Sequence, residues 1–275
     1  MNKSNTPNST GSNDQESLEN EKLFYMAYIL NTQENIKNCL KILNPDENIG
    51  YKICIGLMAR ILKLYNSILS SFKECDITTT KILTRSLYET AISLEYLLVK
   101  FKKELFEEFV LTNAMRNRDL INGLKSHSKS GDKIVSSTIA SLENDIKDDG
   151  LEISNLPKDR LSSWHRNISY KQMAAELGGE SEYIFNVIYP VGSLSVHPSW
   201  SEIKRLHIFK EEGSNKFTSR LLADEKSYLE FSVVICTSLT VCEYYAKRFG
   251  DEKIVDYCKK LHEKFHENFN PKHDN

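Results

Sequence analysis

The stretch K-I-L-T-R-S-L-Y-E-T-A-I-S-L-E-Y-L-L, residues 81–98, places apolar side chains three and four positions apart. This spacing matches the helical period of about 3.6 residues and gives the segment a continuous apolar face. Several possible capping residues precede it, from Asp76 to Thr80. We therefore predict a helix here whose apolar face belongs to a protein core.

The same periodicity recurs along most of the chain, so the sequence predicts an all-α multi-helix bundle. Residues 205–222 differ, because two short β-prone runs flank a polar turn containing Gly213, and they predict one short inserted β-hairpin. Residues 1–16 are rich in Asn, Ser and Thr and predict a disordered polar tail. We expect residues 17–270 to form a single helical domain. The predicted helices cover about 18–44, 47–72, 81–98, 102–124, 134–146, 170–177, the segment around Tyr189, 224–249 and 251–269.

Composition narrows the possible classes of protein. The chain has 36 basic and 38 acidic residues among 275, a formal net charge of −2, so no overall positive field would hold nucleic acid. None of the six cysteines forms a C-x-x-C pair, and we expect buried, reduced thiols. The N-terminal residues lack the apolar run of a signal peptide, and the uncharged apolar run Phe231–Cys242 is too short to cross a bilayer. We expect a cytoplasmic protein with no membrane partner.

A second stretch, Y-P-V-G-S-L-S-V-H-P at residues 189–198, combines three kinds of polar group. Tyr189, Ser193 and His197 are four positions apart, so a helix aligns them on one face, and Pro198 ends that helix. Arg85 and Glu89 are likewise four apart and interrupt the apolar stripe of residues 81–98. We predict that both sets line one polar pocket.

The same residues can also be explained without a binding pocket. Arg85 and Glu89 also fit an exposed intrahelical ion pair, and the Tyr189, Ser193 and His197 set also fits a hydrogen-bonded network that fixes helix packing. A catalytic arrangement, with Ser193 as nucleophile, His197 as base, Glu89 orienting the ring and Arg85 binding charge, needs oxyanion donors that the sequence does not identify. The sequence leaves these alternatives open.

The order of these residues resembles the bacterial domain-of-unknown-function family numbered 5677. The resemblance covers about residues 50–245 and implies a helical fold with a polar cluster of unassigned role. It rests on the following ordered residues: Arg85, Glu89, Trp164, the run Met173 to Gly178, Tyr183, Tyr189, Ser193, His197, Pro198 and Ser199.

A weaker resemblance points to the higher-eukaryote and prokaryote nucleotide-binding superfamily, many of whose members are ribonucleases with an Arg-x4–6-His motif. Arg160 and His165 match that spacing, although they fall in a predicted loop and such a match arises easily by chance. The resemblance implies an alternative function, a metal-independent endoribonuclease of toxin or phage-defence type acting on RNA.

One further motif, H-E-K-F-H at residues 262–266, matches the H-E-x-x-H pattern of zinc proteases. Three lysines surround it near the end of the chain, so we expect a charged terminal helix, with no metal and no cofactor.

The main prediction is a ligand-binding or sensing module for a small anionic or nucleotide-like molecule. Its ligand-binding residues would be Arg85, Glu89, Trp164, Tyr189, Ser193 and His197. The sequence leaves homo-oligomerisation open.

Overall fold

The computed structural model describes residues 11–42, 48–74, 76–127, 132–158, 168–196, 203, 207–210, 217–219 and 228–269. These residues confirm the predicted all-α fold class. The helices among them are α1 (Gly11–Cys39), α2 (Ile49–Lys73), α3 (Ile77–Lys100), α4 (Lys103–His127), α5 (Lys133–Asp148), α6 (Tyr170–Leu177), α7 (Gly179–Val196), α8 (Tyr228–Phe249) and α9 (Glu252–Phe269), with a 3-10 turn at Ile153–Asn155.

Local chemistry explains where the helices around the site begin and end. Asp76 caps α3, because its Oδ1 accepts from the backbone N–H of Thr79 at 3.0 Å. At α6, Ser169 and Gln172 form a reciprocal capping box. That helix ends at Gly178, as the sequence predicts. The φ of Gly178 is 68°, a backbone angle that glycine adopts readily.

The first helix begins earlier than the sequence predicts. α1 starts at Gly11, so residues 11–16 of the predicted polar tail are helical, and the boundary moves to residue 10. Gln15 and Glu16 have high intrinsic helix propensity, which agrees with this extension. The disorder predicted for residues 1–10 lies outside the described residues.

Two short strands are present in the segment for which the sequence predicts a hairpin. β1 (Ile208–Lys210) pairs antiparallel with β2 (Phe217–Ser219), with Phe209 opposite Thr218. Residues 211–216, which join the strands, lie outside the described residues. The complete hairpin therefore stays a prediction.

The chain forms two compact units. The single helical domain expected from the sequence stays a prediction. The first unit contains Met1–Leu43, Met58–Ala91 and Ile188–Asn275, and the second contains Asn44–Leu57 and Ile92–Val187. Because α2, α3 and α7 each contribute residues to both units, no linker marks the division in the sequence.

The first unit has a core of aromatic and aliphatic side chains. Tyr65 of α2 is fully buried and its hydroxyl donates to the Ile29 carbonyl at 3.0 Å. The rings of Tyr28 and Phe265 meet edge to face at 5.1 Å, which joins α1 to α9. The five cysteines whose positions are described are buried, as the sequence predicts: Cys39, Cys54, Cys236, Cys242 and Cys258.

Helix α2 is long and apolar enough to cross a membrane by length and composition. Its apolar stripe is nevertheless fully buried within the protein, at Cys54, Met58, Ile61, Tyr65 and Ile68. The steps of three and four residues along that stripe are typical of a helix packed in a protein core.

The second unit has its own apolar cluster, which brings together α4, α5 and the 3-10 turn. Its buried members are Ala114, Met115, Ile121, Ile146 and Leu156. Asp132 begins α5 by accepting from the backbone N–H groups of Ile134 and Val135.

Candidate functional site

Arg85 is the centre of a polar cluster in the first unit. Its Nε donates to Glu89 Oε1 at 3.0 Å, one turn along α3. Its Nη2 donates to the Tyr189 hydroxyl of α7 at 3.0 Å, and its guanidinium carbon lies 4.5 Å from the centroid of the same ring. The guanidinium is therefore held by an ion pair, a hydrogen bond and a cation–π contact.

This ion pair is largely shielded from solvent. Only 16% of the Arg85 side chain and 27% of the Glu89 side chain are exposed. Burial alone lowers the pKa of Arg85, but the hydrogen bond and charge of Glu89, together with Tyr189, outweigh it and raise that pKa. Arg85 consequently stays charged, and an exposed surface pair does not describe it.

One nitrogen of the guanidinium is not used by these contacts. Arg85 Nη1 is buried and has no hydrogen-bond partner among the described residues, and the same holds for the neighbouring Thr84 Oγ1. Buried polar atoms in native proteins nearly always have a partner, whether protein, water or ligand. The cluster thus presents buried hydrogen-bonding capacity next to a fixed positive charge.

The part of α7 that supplies Tyr189 has an irregular sequence for a helix. Pro190 lies inside α7 and removes one backbone hydrogen bond. Ser193 donates its hydroxyl proton to the Tyr189 carbonyl at 2.7 Å, a contact within the helix that commonly bends it. The helix ends at Val196, immediately before His197.

The structure brings together Arg85, Glu89 and Tyr189 from the set predicted by the sequence. Ser193 is on the same helix as Tyr189, and its hydroxyl donates to the Tyr189 carbonyl. Trp164 and His197 lie outside the described residues, as do Pro198, Ser199 and the Arg160–His165 pair. The predicted roles of these residues stay predictions.

Sequence reasoning missed a buried ion pair one turn before Arg85. Lys81 Nζ lies 3.9 Å from Glu230 Oε1, and their side chains are only 5% and 6% exposed. Glu230 Oε2 is also buried and has no hydrogen-bond partner in the described part of the chain. The sequence did contain one indication of Lys81: it lies four residues before Arg85, on the same face of α3.

A second missed residue, Glu95, lies in the second unit. It is 5% exposed, and the Ser181 hydroxyl donates to its Oε2 at 2.7 Å. Burial raises the pKa of Glu95 to about 7, although the Ser181 hydrogen bond lowers it, and the charge of Glu180 raises it further. Its sequence signal was a lone carboxylate in the apolar run from Ala91 to Leu98.

An open cleft of about 530 Å³ lies between α1 and α9 in the first unit. Its polar groups largely bond to one another: the Tyr257 hydroxyl donates to Asn31 Oδ1 at 3.2 Å, and Lys41 Nζ donates to Asn38 Oδ1 at 2.8 Å. Because these groups already have partners, the cleft is a weaker candidate than the Arg85 cluster.

Comparison with known proteins agrees with the resemblance seen in the sequence. No curated protein and no solved structure matches the chain at a significant level. The model of a family of unknown function matches residues 51–216, which include Arg85, Glu89, Tyr189 and Ser193. Because this match covers more than half of the chain, the protein belongs to the family of unknown function DUF5677.

Proposed function

We propose that the Arg85 cluster is the ligand site of a binding or sensing module for a small anionic or nucleotide-like molecule. The observation that carries the proposal is how the three guanidinium nitrogens of Arg85 are hydrogen-bonded. Nε and Nη2 are fixed by Glu89 and Tyr189, while Nη1 is buried and has no hydrogen-bond partner among the described residues.

This arrangement suits recognition of an anion. A guanidinium is always charged and offers its N–H groups in a rigid plane that matches two oxygens of a phosphate or carboxylate. Because two contacts already fix the plane of Arg85, a ligand loses little additional side-chain entropy when it binds. Burial also strengthens each hydrogen bond that the ligand accepts.

The other residues of the proposed site have distinct roles. Glu89 holds the guanidinium in place, and Tyr189 provides both a hydroxyl and a ring surface for it. His197 would add a hydrogen bond to the ligand, as the sequence predicts.

A thermal-shift experiment tests this proposal. Purified protein is screened against orthophosphate, nucleotides and anionic metabolites, and a ligand that binds the folded state raises the melting temperature. We expect at least one anionic compound to raise it in the native protein and Arg85→Gln to abolish the shift. Arg60→Gln is the matched control, because Arg60 is in the same unit and donates to Thr90 Oγ1, outside the cluster.

Three results would overturn the proposal. The first is a panel in which no compound shifts the melting temperature, and the second is a shift that survives Arg85→Gln. The third is RNA cleavage that His197→Ala or His165→Ala abolishes, since this result would favour the ribonuclease alternative. Circular dichroism of each variant ensures that lost binding is not lost folding.

A further inference from the structure

Three potential metal ligands meet in the first unit, and none of them belongs to the Arg85 cluster. Cys236 Sγ of α8 and one ring nitrogen each of His262 and His266 of α9 lie within 4.8 Å of one another. The two histidine Nε2 atoms are 3.1 Å apart. From this geometry we infer that the H-E-K-F-H motif binds Zn²⁺ together with Cys236.

The distances suit coordination of a single ion. Zinc bonds are about 2.0–2.1 Å to histidine nitrogen and about 2.3 Å to cysteine sulfur, and the preferred geometry is tetrahedral. Two nitrogens bound to one such ion are therefore roughly 3.3 Å apart, close to the observed 3.1 Å between the ring nitrogens. Small side-chain rotations bring the thiolate to a third position.

The arrangement of the helices explains how the three side chains meet. His262 and His266 are one turn apart on α9, so their rings lie on one face, with centroids 4.7 Å apart. Helix α8 packs alongside α9, and Lys259 of α9 lies 3.8 Å from Glu243 of α8. Cys236 projects from α8 and is buried, which places the thiol at the inner side of the ring pair.

The chemical type of the ligands points to zinc. A thiolate and two imidazoles are the soft and borderline donors that select Zn²⁺ over Mg²⁺ or Ca²⁺. The sequence alone could not identify this site, because the third ligand is 26 residues before the motif and on another helix.

This site is separate from the function proposed above. Cys236, His262 and His266 all lie beyond residues 51–216, the part of the chain that matches the family. The ion would link α8 to α9 and so stabilise the folded first unit through metal binding.

Cobalt substitution of the full-length protein tests the inference. After removal of metals with a chelator, we expect one equivalent of Co²⁺ to give the intense visible bands of a tetrahedral site and a thiolate-to-cobalt charge-transfer band. We expect Zn²⁺ to displace Co²⁺ and to raise the melting temperature. Cys236→Ala should remove the charge-transfer band.

His266→Gln is the decisive variant, because His266 is exposed and its loss does not disturb the core. Loss of an outer-sphere partner already weakens metal binding roughly 10- to 100-fold, and loss of a direct ligand should cost at least as much. The matched controls are His207→Gln, an exposed histidine elsewhere, and Cys258→Ala, a thiol one turn before His262 that is not in the cluster. Both controls should retain the native spectrum.

Three outcomes would overturn the inference: no tetrahedral cobalt spectrum, a spectrum that survives His266→Gln, or a charge-transfer band that Cys258→Ala removes and Cys236→Ala does not. None of these outcomes bears on the thermal-shift result for Arg85, so the two proposals fail independently.

Discussion

The hydroxyl of Tyr189 accepts a 3.0 Å hydrogen bond from Arg85, and the ring of the same tyrosine lies 4.5 Å from the guanidinium carbon. These two residues are 104 positions apart in the chain. Because both contacts involve the same guanidinium, they fix its position and its plane together. This double contact separates the cluster from an ordinary ion pair on a helix surface.

The two contacts of Tyr189 can be separated by substitution. Tyr189→Phe removes the acceptor but keeps the ring, and we expect it to lower the free energy of unfolding by about 1.5–3 kcal/mol, the contribution of a hydrogen bond to a charged group. Tyr189→Leu also removes the cation–π contact, which adds roughly 0.5–1 kcal/mol or more. Urea unfolding measures both values.

Tyr183→Phe is the matched control for this series. Tyr183 is on the same helix but is 68% exposed, so we expect its substitution to change the free energy of unfolding by less than about 0.5 kcal/mol. Equal effects of Tyr189→Phe and Tyr183→Phe would contradict a stabilising bond between Arg85 and Tyr189.

The Lys81–Glu230 ion pair predicts an asymmetric response to mutation. Lys81→Met leaves the buried carboxylate of Glu230 without its cationic partner, and we expect a loss of about 3–5 kcal/mol of stability. The further change Glu230→Gln removes that uncompensated charge, so the double variant should recover part of the loss. A double-mutant cycle by urea unfolding measures the coupling.

An exposed ion pair provides the comparison. Lys103 lies 3.2 Å from Glu107 on α4, but the two side chains are 77% and 56% exposed. We expect Lys103→Met to change stability by less than about 0.5 kcal/mol, since solvent screens such pairs. If Lys81→Met lowers the free energy of unfolding no more than Lys103→Met does, burial does not make the Lys81–Glu230 pair more important for stability.

Glu95 predicts a pH-dependent stability in a defined range. Burial raises the pKa of Glu95 from its ordinary value of 4.5 to about 7. Between these values the folded state holds a proton that the unfolded state has released, so the free energy of unfolding falls as pH rises. The contribution is complete below about pH 4.5 and is lost by about pH 7, with an upper limit of roughly 3 kcal/mol.

Glu95→Gln should remove this slope, because glutamine does not ionise, and above about pH 7 the variant should be more stable than the native protein. Glu143→Gln is the control, since Glu143 is in the same unit but forms an exposed pair with Lys125 at 2.9 Å. Urea unfolding midpoints of both proteins, measured at several pH values, show whether the substitution removes the slope. If the native protein and Glu95→Gln show the same slope, Glu95 does not titrate in this range.

Sequence reasoning identified local relationships better than distant ones. The pair Arg85 and Glu89 was visible because residues four apart on a helix share a face. Periodicity shows which face of a helix is apolar, but not which helix packs against it. The partners of Lys81 and of the H-E-K-F-H motif could therefore not be predicted, since Glu230 and Cys236 lie on a different helix in each case.

The sequence did predict the helix end at Gly178, and that position gives a backbone test. Gly178 has φ 68° and ψ −165°, a conformation that almost only glycine adopts. A Cβ built there meets no atom within 4 Å, so the cost of Gly178→Ala is conformational, not steric contact with neighbours. We expect a loss of about 1–3 kcal/mol in the free energy of unfolding.

Gly123→Ala, in the same unit, should change the free energy of unfolding in the opposite direction. Gly123 lies inside α4, and a Cβ there also meets no atom within 4 Å. Alanine is the better helix former and narrows the unfolded ensemble, so this substitution should stabilise the protein by roughly 0.4–1 kcal/mol. Two glycines with equal free space should thus respond in opposite directions because only their backbone angles differ. Stabilisation by both substitutions in urea unfolding would mean that the α6 terminus does not require the left-handed backbone of Gly178.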